Sequence, residues 1–157
     1  MTLDEMLARE SIRQTMAAYT AAGDRLHEEA FIAVFTEDAV LESEGVPERD
    51  LFRYEGREAI RQWIARWRTP PAEVVSTHQA TFVRHHLSTC HIELTGADSA
   101  RARTYWVAWT DIGPDHAGYY LDAFSKTGDL WLIRHRRIRR DWQDQASLFT
   151  TAVSNSR

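Results

Sequence analysis

Three kinds of side chain in this sequence could carry acid–base chemistry: a carboxylate, two adjacent imidazoles and a phenol. Asp24 follows the predicted end of a long N-terminal helix, where the helix dipole disfavours a carboxylate by about 0.3–1 kcal/mol. His85 and His86 stand side by side in a predicted strand, and a neutral imidazole with a pKa of about 6.5 can accept a proton at pH 7. Tyr19, on the same helix as Asp24, could donate a hydrogen bond.

Each of these residues also has a purely structural interpretation. Asp24 could be a solvated loop residue or the N-cap of a second helix, and Tyr19 a core tyrosine whose hydroxyl reaches the surface. Neighbouring strand residues face opposite ways, so only one of His85 and His86 points inward. Strict alternation places His86 on the apolar face together with Cys90, whereas a β-bulge in the strand would reverse the two histidines. The sequence therefore leaves both histidines as candidates.

Metal and nucleotide chemistry find no support in the sequence. A His-Glu-x-x-His helix, a P-loop, a Gly-x-Gly-x-x-Gly turn and a Gly-x-Ser-x-Gly turn are all absent. The single cysteine, Cys90, excludes a thiolate cluster and an intramolecular disulfide. We therefore predict no metal site and no cofactor.

Charge and composition limit the possible partners. The net charge of -4 and the isoelectric point of about 6.0 give no positive field that would collect nucleic acid. The basic cluster from Arg134 to Arg140 divides between two strand faces, and Asp122 on a neighbouring strand is expected to form a salt bridge with it. No apolar run approaches the roughly 20 residues of a membrane span. One cysteine fits a reducing compartment, so we expect a cytoplasmic protein that binds neither nucleic acid nor membranes.

The elements that would position these residues fall into two halves. Amphipathic spacing predicts three helices, over about residues 3–22, 26–35 and 57–68, the first of them opened by a capping box of Thr2 and Glu5. A short strand is expected over residues 39–41 and a polar loop over residues 42–55. After Pro71, four β-rich runs separated by short turns predict an antiparallel meander over about residues 80–94, 100–112, 118–126 and 130–141.

The chain of 157 residues is long enough for one domain with a sizeable core. Strands of this length twist and curl, and a curled sheet presents a concave face that the amphipathic helices must cover. We predict one domain over residues 1–144 and a loose C-terminal tail over residues 145–157.

Six short motifs follow one another in an order that is typical of a known family. They are Tyr19-x4-Asp24, the run from Phe35 to Val40, the run from Gly56 to Ile60, the run from Arg84 to Thr89, Gly118-Tyr119-Tyr120-x-Asp122, and Trp131-x-Ile133-x-x-Arg136. Over about residues 1–142 this pattern closely resembles the SnoaL-like branch of the nuclear transport factor 2-like superfamily. The resemblance implies an α+β, cone-shaped fold, with a curved antiparallel sheet wrapped around three N-terminal helices and one deep pocket.

The resemblance also implies roles for particular residues. In dehydratases and dehydrochlorinases of this branch, an aspartate at the end of the first helix orients a strand histidine, which abstracts a proton while a leaving group departs. Asp24 matches that aspartate, His85 the histidine and Tyr19 a pocket tyrosine. Arg136, or Arg137 one position further on, matches a strand arginine. Because His86 is adjacent to His85, the identity of the base stays open.

The resulting hypothesis is a cofactor-independent lyase or isomerase that carries out a dehydratase-type elimination on a small hydrophobic cyclic substrate. The catalytic residues would be His85, Asp24 and Tyr19, and residues predicted to bind substrate are His86, Arg136, Trp63, Tyr105 and Tyr120. The alternatives are a non-catalytic binding or assembly subunit, like the β subunits of ring-hydroxylating dioxygenases, and a polyketide-cyclase-type aldol closure. Apolar residues on the convex sheet face predict a homodimer or homotrimer.

Overall fold

The computed structural model describes residues 1–68 and 80–149, apart from the side chain of residue 49. Its helices are α1 (Leu3–Gly23), α2 (Glu28–Ile32) and α3 (Arg57–Arg68), with one 3₁₀ turn over Glu48–Asp50. Its strands are β1 (Phe35–Glu44), β2 (Arg53–Glu55), β3 (Arg84–Leu94), β4 (Ser99–Thr110), β5 (Gly113–Thr127) and β6 (Leu130–Gln143). The helices therefore lie in the first half of the chain and the four longest strands in the second, which confirms the α+β prediction.

The six strands form one curved sheet in the order β2-β1-β6-β5-β4-β3. The four long strands β3 to β6 make the predicted antiparallel meander. The expectation of a wholly antiparallel sheet is wrong, because β1 runs parallel to β6 while β2 is antiparallel to β1. Parallel pairing is possible here because α3 and four strands separate β1 from β6 along the chain, which gives the long connection that parallel strands require.

Both ends of the segment expected to be a loop, residues 42–55, are built into the sheet, residues 42–44 in β1 and residues 53–55 in β2. Glu42 and Glu44 lie opposite Arg137 and Arg139 in the β1–β6 ladder, and Arg53 forms an ion pair with Glu42. The polar composition of this segment predicted a loop. In the sheet its glutamates lie beside arginines, and opposite charges on adjacent strands stabilise a sheet.

Helix α1 begins and packs as the sequence predicts. The backbone amide of Glu5 donates to Thr2 Oγ1 at 3.2 Å and the amide of Thr2 donates to the Glu5 carboxylate at 2.7 Å, which completes the capping box. The buried stripe of Ile12, Met16 and Tyr19 faces the sheet. Although α1 has 21 residues, neither it nor any other helix in the described part of the chain is long and apolar enough to cross a membrane.

Helix α2 is shorter than predicted. It ends at Ile32, and Phe35 already belongs to β1, where it pairs with Ile133. The helix was predicted to extend to residue 35 because apolar residues continue at helical spacing. In the structure Phe35, the last of these residues, pairs with β6 instead. Helix α3 matches the prediction, and the two prolines expected to end it lie outside the described residues.

The two faces of the sheet differ sharply along β4. Alternate residues are buried on the concave face, from Ala100 to Thr110, and those between them are exposed or half-buried on the outer face. At Gly118, where the β5–β6 register shifts, an added Cβ would lie 1.9 Å from the Arg139 carbonyl oxygen. Glycine is therefore required where these two strands approach closely.

The first residues of the predicted tail are held against the sheet. Ser147 Oγ donates to Asp115 at 2.6 Å, and the backbone amide of Leu148 donates to the same carboxylate at 2.8 Å. Phe149 packs on the ring of His116, with 5.1 Å between ring centroids. Residues 145–149 therefore belong to the folded unit, and residues 150–157 lie outside the described residues.

Candidate active site

The sheet and the first helix bring Asp24 and His85 into direct contact, although they are 61 positions apart. His85 Nδ1 lies 2.6 Å from Asp24 Oδ1, and the backbone amide of His85 donates to Asp24 Oδ2 at 3.0 Å. The Asp24 side chain is only 7% exposed, whereas that of His85 is 27% exposed. One carboxylate therefore fixes both the ring and the backbone of the histidine, while the ring stays open to a ligand.

The position of Asp24 follows from the way α1 ends. Asp24 is the C-cap residue, and its amide donates to the Thr20 carbonyl at 2.9 Å. A carboxylate at a helix C-terminus is disfavoured by the dipole, but the two donors of His85 offset that cost because hydrogen bonds to a charged group are stronger than neutral ones. The unfavourable residue type at this position is the feature by which Asp24 stands out in the sequence.

A β-bulge in β3 decides which histidine faces inward. The β3–β4 register shifts between Leu87 and Cys90. In strict alternation residues five positions apart would face opposite ways, but the extra residue of the bulge puts His85 on the concave face together with Cys90. The exposed His86 lies on the opposite face, where its ring centroid is 6.0 Å from that of Trp109. The bulge thus places His86 on the opposite face of the sheet from the Asp24–His85 pair, so His86, predicted to bind substrate, is not part of this site.

A cavity of about 380 Å³ lies between α1 and the edge strand β3. Its lining residues are Ala17, Thr20, Ala21, Asp24, Arg25, Arg84, His85 and Leu87. The small side chains of Ala17 and Ala21 leave this space open on the helix side. The carboxylate and the imidazole therefore form part of a cavity wall that a small molecule can reach.

Beyond His85, one row of rings crosses the concave face from β3 to β6. The His85 and Trp106 ring centroids are 5.8 Å apart, and Trp106 stacks on Tyr120 at 5.7 Å. The guanidinium carbon of Arg136 then lies 4.1 Å from the Tyr120 centroid and 4.0 Å from that of Tyr19. Tyr19, Tyr120 and Arg136 are thus brought together, and Trp106 lies between Tyr120 and His85.

The Arg136 guanidinium is completely buried and paired. Its Nε and Nη2 donate to the two carboxylate oxygens of Asp122 at 2.8 and 2.7 Å, and both side chains have no exposed surface. The predicted cross-strand salt bridge is therefore present, with Arg136 rather than Arg137 facing inward. Within the described residues, Arg136 Nη1 has no hydrogen-bond partner.

Burial sets the protonation state of the two tyrosines. It raises the pKa of Tyr19 above its ordinary value, although the positive charge of Arg136 acts in the opposite direction. Burial raises the pKa of Tyr120 further, and the neighbouring Tyr19 adds to the effect. Both hydroxyls therefore stay protonated near neutral pH and are hydrogen-bond donors.

Two residues that the sequence suggested for substrate binding lie elsewhere. Tyr105 is 43% exposed on the outer face, against Tyr119, because strand alternation sends it outward when Trp106 faces inward. Trp63 packs against Phe31 and Phe52 in the core between the helices. Neither contacts the Asp24–His85 pair.

A second carboxylate–imidazole pair, which sequence reasoning missed, lies beside the first. His116 Nδ1 is 2.7 Å from Asp115 Oδ1, and the His116 ring centroid is 6.1 Å from that of His85 and 5.5 Å from that of Trp106. Viewed in the sequence, His116 is a single histidine after a Gly-Pro turn. The adjacent Asp115 is the one feature of the sequence that could have indicated this pair.

Among the described residues, no group of three or more histidine, cysteine, aspartate or glutamate side chains is arranged to hold a metal ion.

Fold and site together define an α+β cone with a carboxylate–imidazole pair at the edge of its curved sheet. The SnoaL-like domain family matches residues 4–137, and the chain belongs to this family. No curated protein matches the sequence significantly.

Solved structures share the fold at low sequence identity. A proposed scytalone dehydratase from Novosphingobium aromaticivorans is 23% identical, with 100% of this chain and 99% of that chain covered and a TM-score of 0.74. The β subunit of a proposed aromatic-ring-hydroxylating dioxygenase from the same organism is 19% identical, with 95% and 99% covered and a TM-score of 0.71. A hexachlorocyclohexane dehydrochlorinase from Novosphingobium barchaimii is 16% identical, with 90% and 92% covered and a TM-score of 0.69. These similarities establish the fold.

Proposed function

We propose that the protein is a cofactor-independent lyase or isomerase that eliminates a leaving group from a small hydrophobic cyclic substrate. The observation that carries this proposal is the contact of 2.6 Å between Asp24 and His85 in a cavity wall. A carboxylate bonded to Nδ1 fixes the tautomer, leaves the lone pair on Nε2, and stabilises the imidazolium that forms when Nε2 takes a proton.

The groups named here account for every proton and electron pair that moves in the elimination. His85 Nε2 takes the proton from a carbon next to a carbonyl group, the C–H electrons form the new double bond, and hydroxide leaves from the next carbon. The imidazolium returns the proton to the hydroxide, so that water departs and His85 is neutral again. We assign Tyr19 the role of hydrogen-bond donor to the carbonyl oxygen, where negative charge develops in the transition state.

The surroundings of the pair favour an apolar ring as substrate. Ala17, Ala21 and Leu87 contribute apolar surface to the cavity, and the Trp106 ring lies next to His85. A volume of about 380 Å³ is in the usual range for small-molecule sites. Dehydratase and dehydrochlorinase names among the structural neighbours support the same reaction class.

A substrate screen tests the proposal. We expect the wild-type protein to convert at least one β-hydroxy ketone or chlorinated ring, for example 3-hydroxy-1-tetralone, whose dehydration gives fluorescent 1-naphthol, or hexachlorocyclohexane, which releases chloride. The His85→Ala variant is expected to lose that turnover. Full turnover by the variant, or no turnover of any compound by the wild-type protein, would contradict the assignment.

A non-catalytic subunit is the second candidate, supported by the similarity to a dioxygenase β subunit. Such a protein has no need of an accessible base. It would bind ring compounds or partners equally well with and without the imidazole of His85. Binding measured with the His85→Ala variant tests this expectation.

We also propose that the outer sheet face mediates self-association. Tyr105 and Trp109 are 43% and 41% exposed there, Tyr105 beside Tyr119 and Trp109 beside His86, and these side chains form an aromatic patch on one face of the sheet. Covering such a patch with a second copy removes apolar surface from water. Sedimentation at micromolar concentration is expected to give the mass of a dimer or trimer, and a Tyr105→Ser/Trp109→Ser variant the mass of a monomer. A monomeric wild-type protein would disprove this proposal.

A further inference from the structure

The Asp115–His116 pair has the same construction as the Asp24–His85 pair. In each, a carboxylate oxygen lies within 2.7 Å of the ring Nδ1, and the carboxylate is more deeply buried than its histidine. Both imidazoles adjoin Trp106, and their planes meet at 82°. Two oriented imidazoles therefore lie side by side, His85 in the cavity wall and His116 behind it against Trp106, and the proposed elimination uses only the first.

The hydrogen bonds fix which nitrogen of each ring is free. Because a carboxylate accepts the Nδ1 proton in both pairs, both neutral rings carry their lone pair on Nε2. Among the described residues, the side-chain hydrogen bonds of both rings run through Nδ1. The ring centroids are 6.1 Å apart, so the two imidazoles are close enough for one ring-sized ligand to contact both.

The environment keeps His116 neutral. Burial lowers the pKa of His116 below its ordinary value, and the charges of His85 and Arg140 act in the same direction, although Asp115 opposes them. A neutral imidazole with a free Nε2 is an acceptor for an O–H group. It offers nothing to a carbon–chlorine bond, which has no proton to donate.

The C-terminal segment holds this second pair in place. Asp115 accepts hydrogen bonds from Ser147, from the backbone amide of Leu148 and from His116, and its side chain has no exposed surface. Phe149 covers one side of the His116 ring. An orientation fixed by two segments of the chain is typical of a functional group that must keep its direction.

We propose that His116 is a substrate-binding residue whose Nε2 accepts a hydrogen bond from a hydroxyl group of the ligand, so that the site prefers hydroxylated rings to halogenated ones. This inference deepens the proposed function, since it names the class of substrate that His85 would deprotonate. It also predicts that the preference for a hydroxyl group is seen in binding, without any turnover.

Two ring compounds that cannot undergo the elimination test the preference directly. Fluorescence titration is expected to show that the wild-type protein binds 1-naphthol about tenfold more tightly than 1-methoxynaphthalene, which lacks the O–H donor. In the His116→Phe variant the ratio of the two dissociation constants falls to about one. In a His135→Phe variant the ratio is unchanged, because His135 is also paired with a carboxylate, that of Glu42, but lies away from this site.

The outcomes separate this inference from the proposed function. A ratio that survives in His116→Phe but disappears in His85→Phe would assign the hydroxyl contact to His85 and overturn the inference. So would equal binding of the two compounds, or no binding of either, by the wild-type protein. Loss of turnover in His85→Ala together with an unchanged ratio in His116→Phe would leave the lyase proposal standing and reject this one.

Nitrogen-15 NMR of the imidazoles gives a second readout that needs no ligand. We expect the neutral His116 ring to carry its proton on Nδ1 and to titrate below its ordinary pKa. In His85→Phe the pKa of His116 is expected to rise, because the repulsion from a protonated His85 is removed. A neutral His116 protonated on Nε2 would contradict the inference. The His116→Gln variant serves as a conservative replacement if His116→Phe does not fold.

Discussion

Replacing Asp24 by asparagine is expected to lower kcat about 10²- to 10⁴-fold on any substrate that the wild-type protein converts. The carboxylate accepts two hydrogen bonds from one residue, from Nδ1 and from the backbone amide of His85. An amide of the same shape has only one acceptor atom, so its NH₂ group would face one of these two donors. The imidazole then turns or changes tautomer, and the imidazolium loses its counter-charge.

Steady-state kinetics measure the effect, with KM expected to change much less than kcat. Asp141→Asn is the matched control, because Asp141 is a half-exposed carboxylate paired with Arg139 on the surface. The Asp24→Asn/His85→Ala double variant is expected to be no slower than His85→Ala alone, since residues that act as a unit give non-additive losses. Additive losses would show that Asp24 acts independently of His85.

Replacing Asp122 by alanine is expected to lower the free energy of unfolding by about 3–5 kcal/mol. Asp122 and Arg136 form a fully buried pair with two hydrogen bonds, so that the variant leaves a guanidinium charge without a partner between Tyr19 and Tyr120. The cost arises mainly from desolvating that charge rather than from losing the attraction.

Urea unfolding followed by circular dichroism measures this loss. The surface pair of Arg139 and Asp141 provides the control, because its side chains are 43% and 50% exposed, and Asp141→Ala is expected to cost less than about 1 kcal/mol. An apolar replacement of the whole buried pair, Asp122→Leu/Arg136→Met, is expected to recover most of the stability lost in Asp122→Ala. A loss below about 1 kcal/mol in Asp122→Ala would contradict the argument.

The buried pair also bears on function. Because apolar residues of similar volume usually stabilise a core as well as a buried ion pair does, stability alone gives no reason for Arg136 at this position. Its charge lies 4.0 Å from the Tyr19 ring, where it opposes the rise in the pKa of that phenol. An arginine at this position therefore makes Tyr19 a stronger hydrogen-bond donor. We propose this as the role of Arg136.

The sequence by itself determined the parts of the fold that rest on local pattern. The Thr2–Glu5 capping box and the apolar stripe of α1 each act over a few residues and are found where they were predicted. Two of the three predicted turns between the long strands are also in place, whereas residues 113–115, expected to form the other turn, begin β5. The order of six motifs was enough to indicate the family. Asp24 stood out because its residue type conflicts with the dipole of the helix that it ends.

Only the tertiary structure decided which histidine meets that carboxylate. Strict alternation favoured His86, and the bulge between Leu87 and Cys90 placed His85 inside instead. A bulge depends on how β3 pairs with β4, and the alternation of apolar residues along β3 does not reveal it. The parallel pairing of β1 with β6 and the approach of His116 to His85 are likewise decided by the tertiary structure. Such contacts join residues distant in the chain, and their free energy depends on packing that only the complete fold defines.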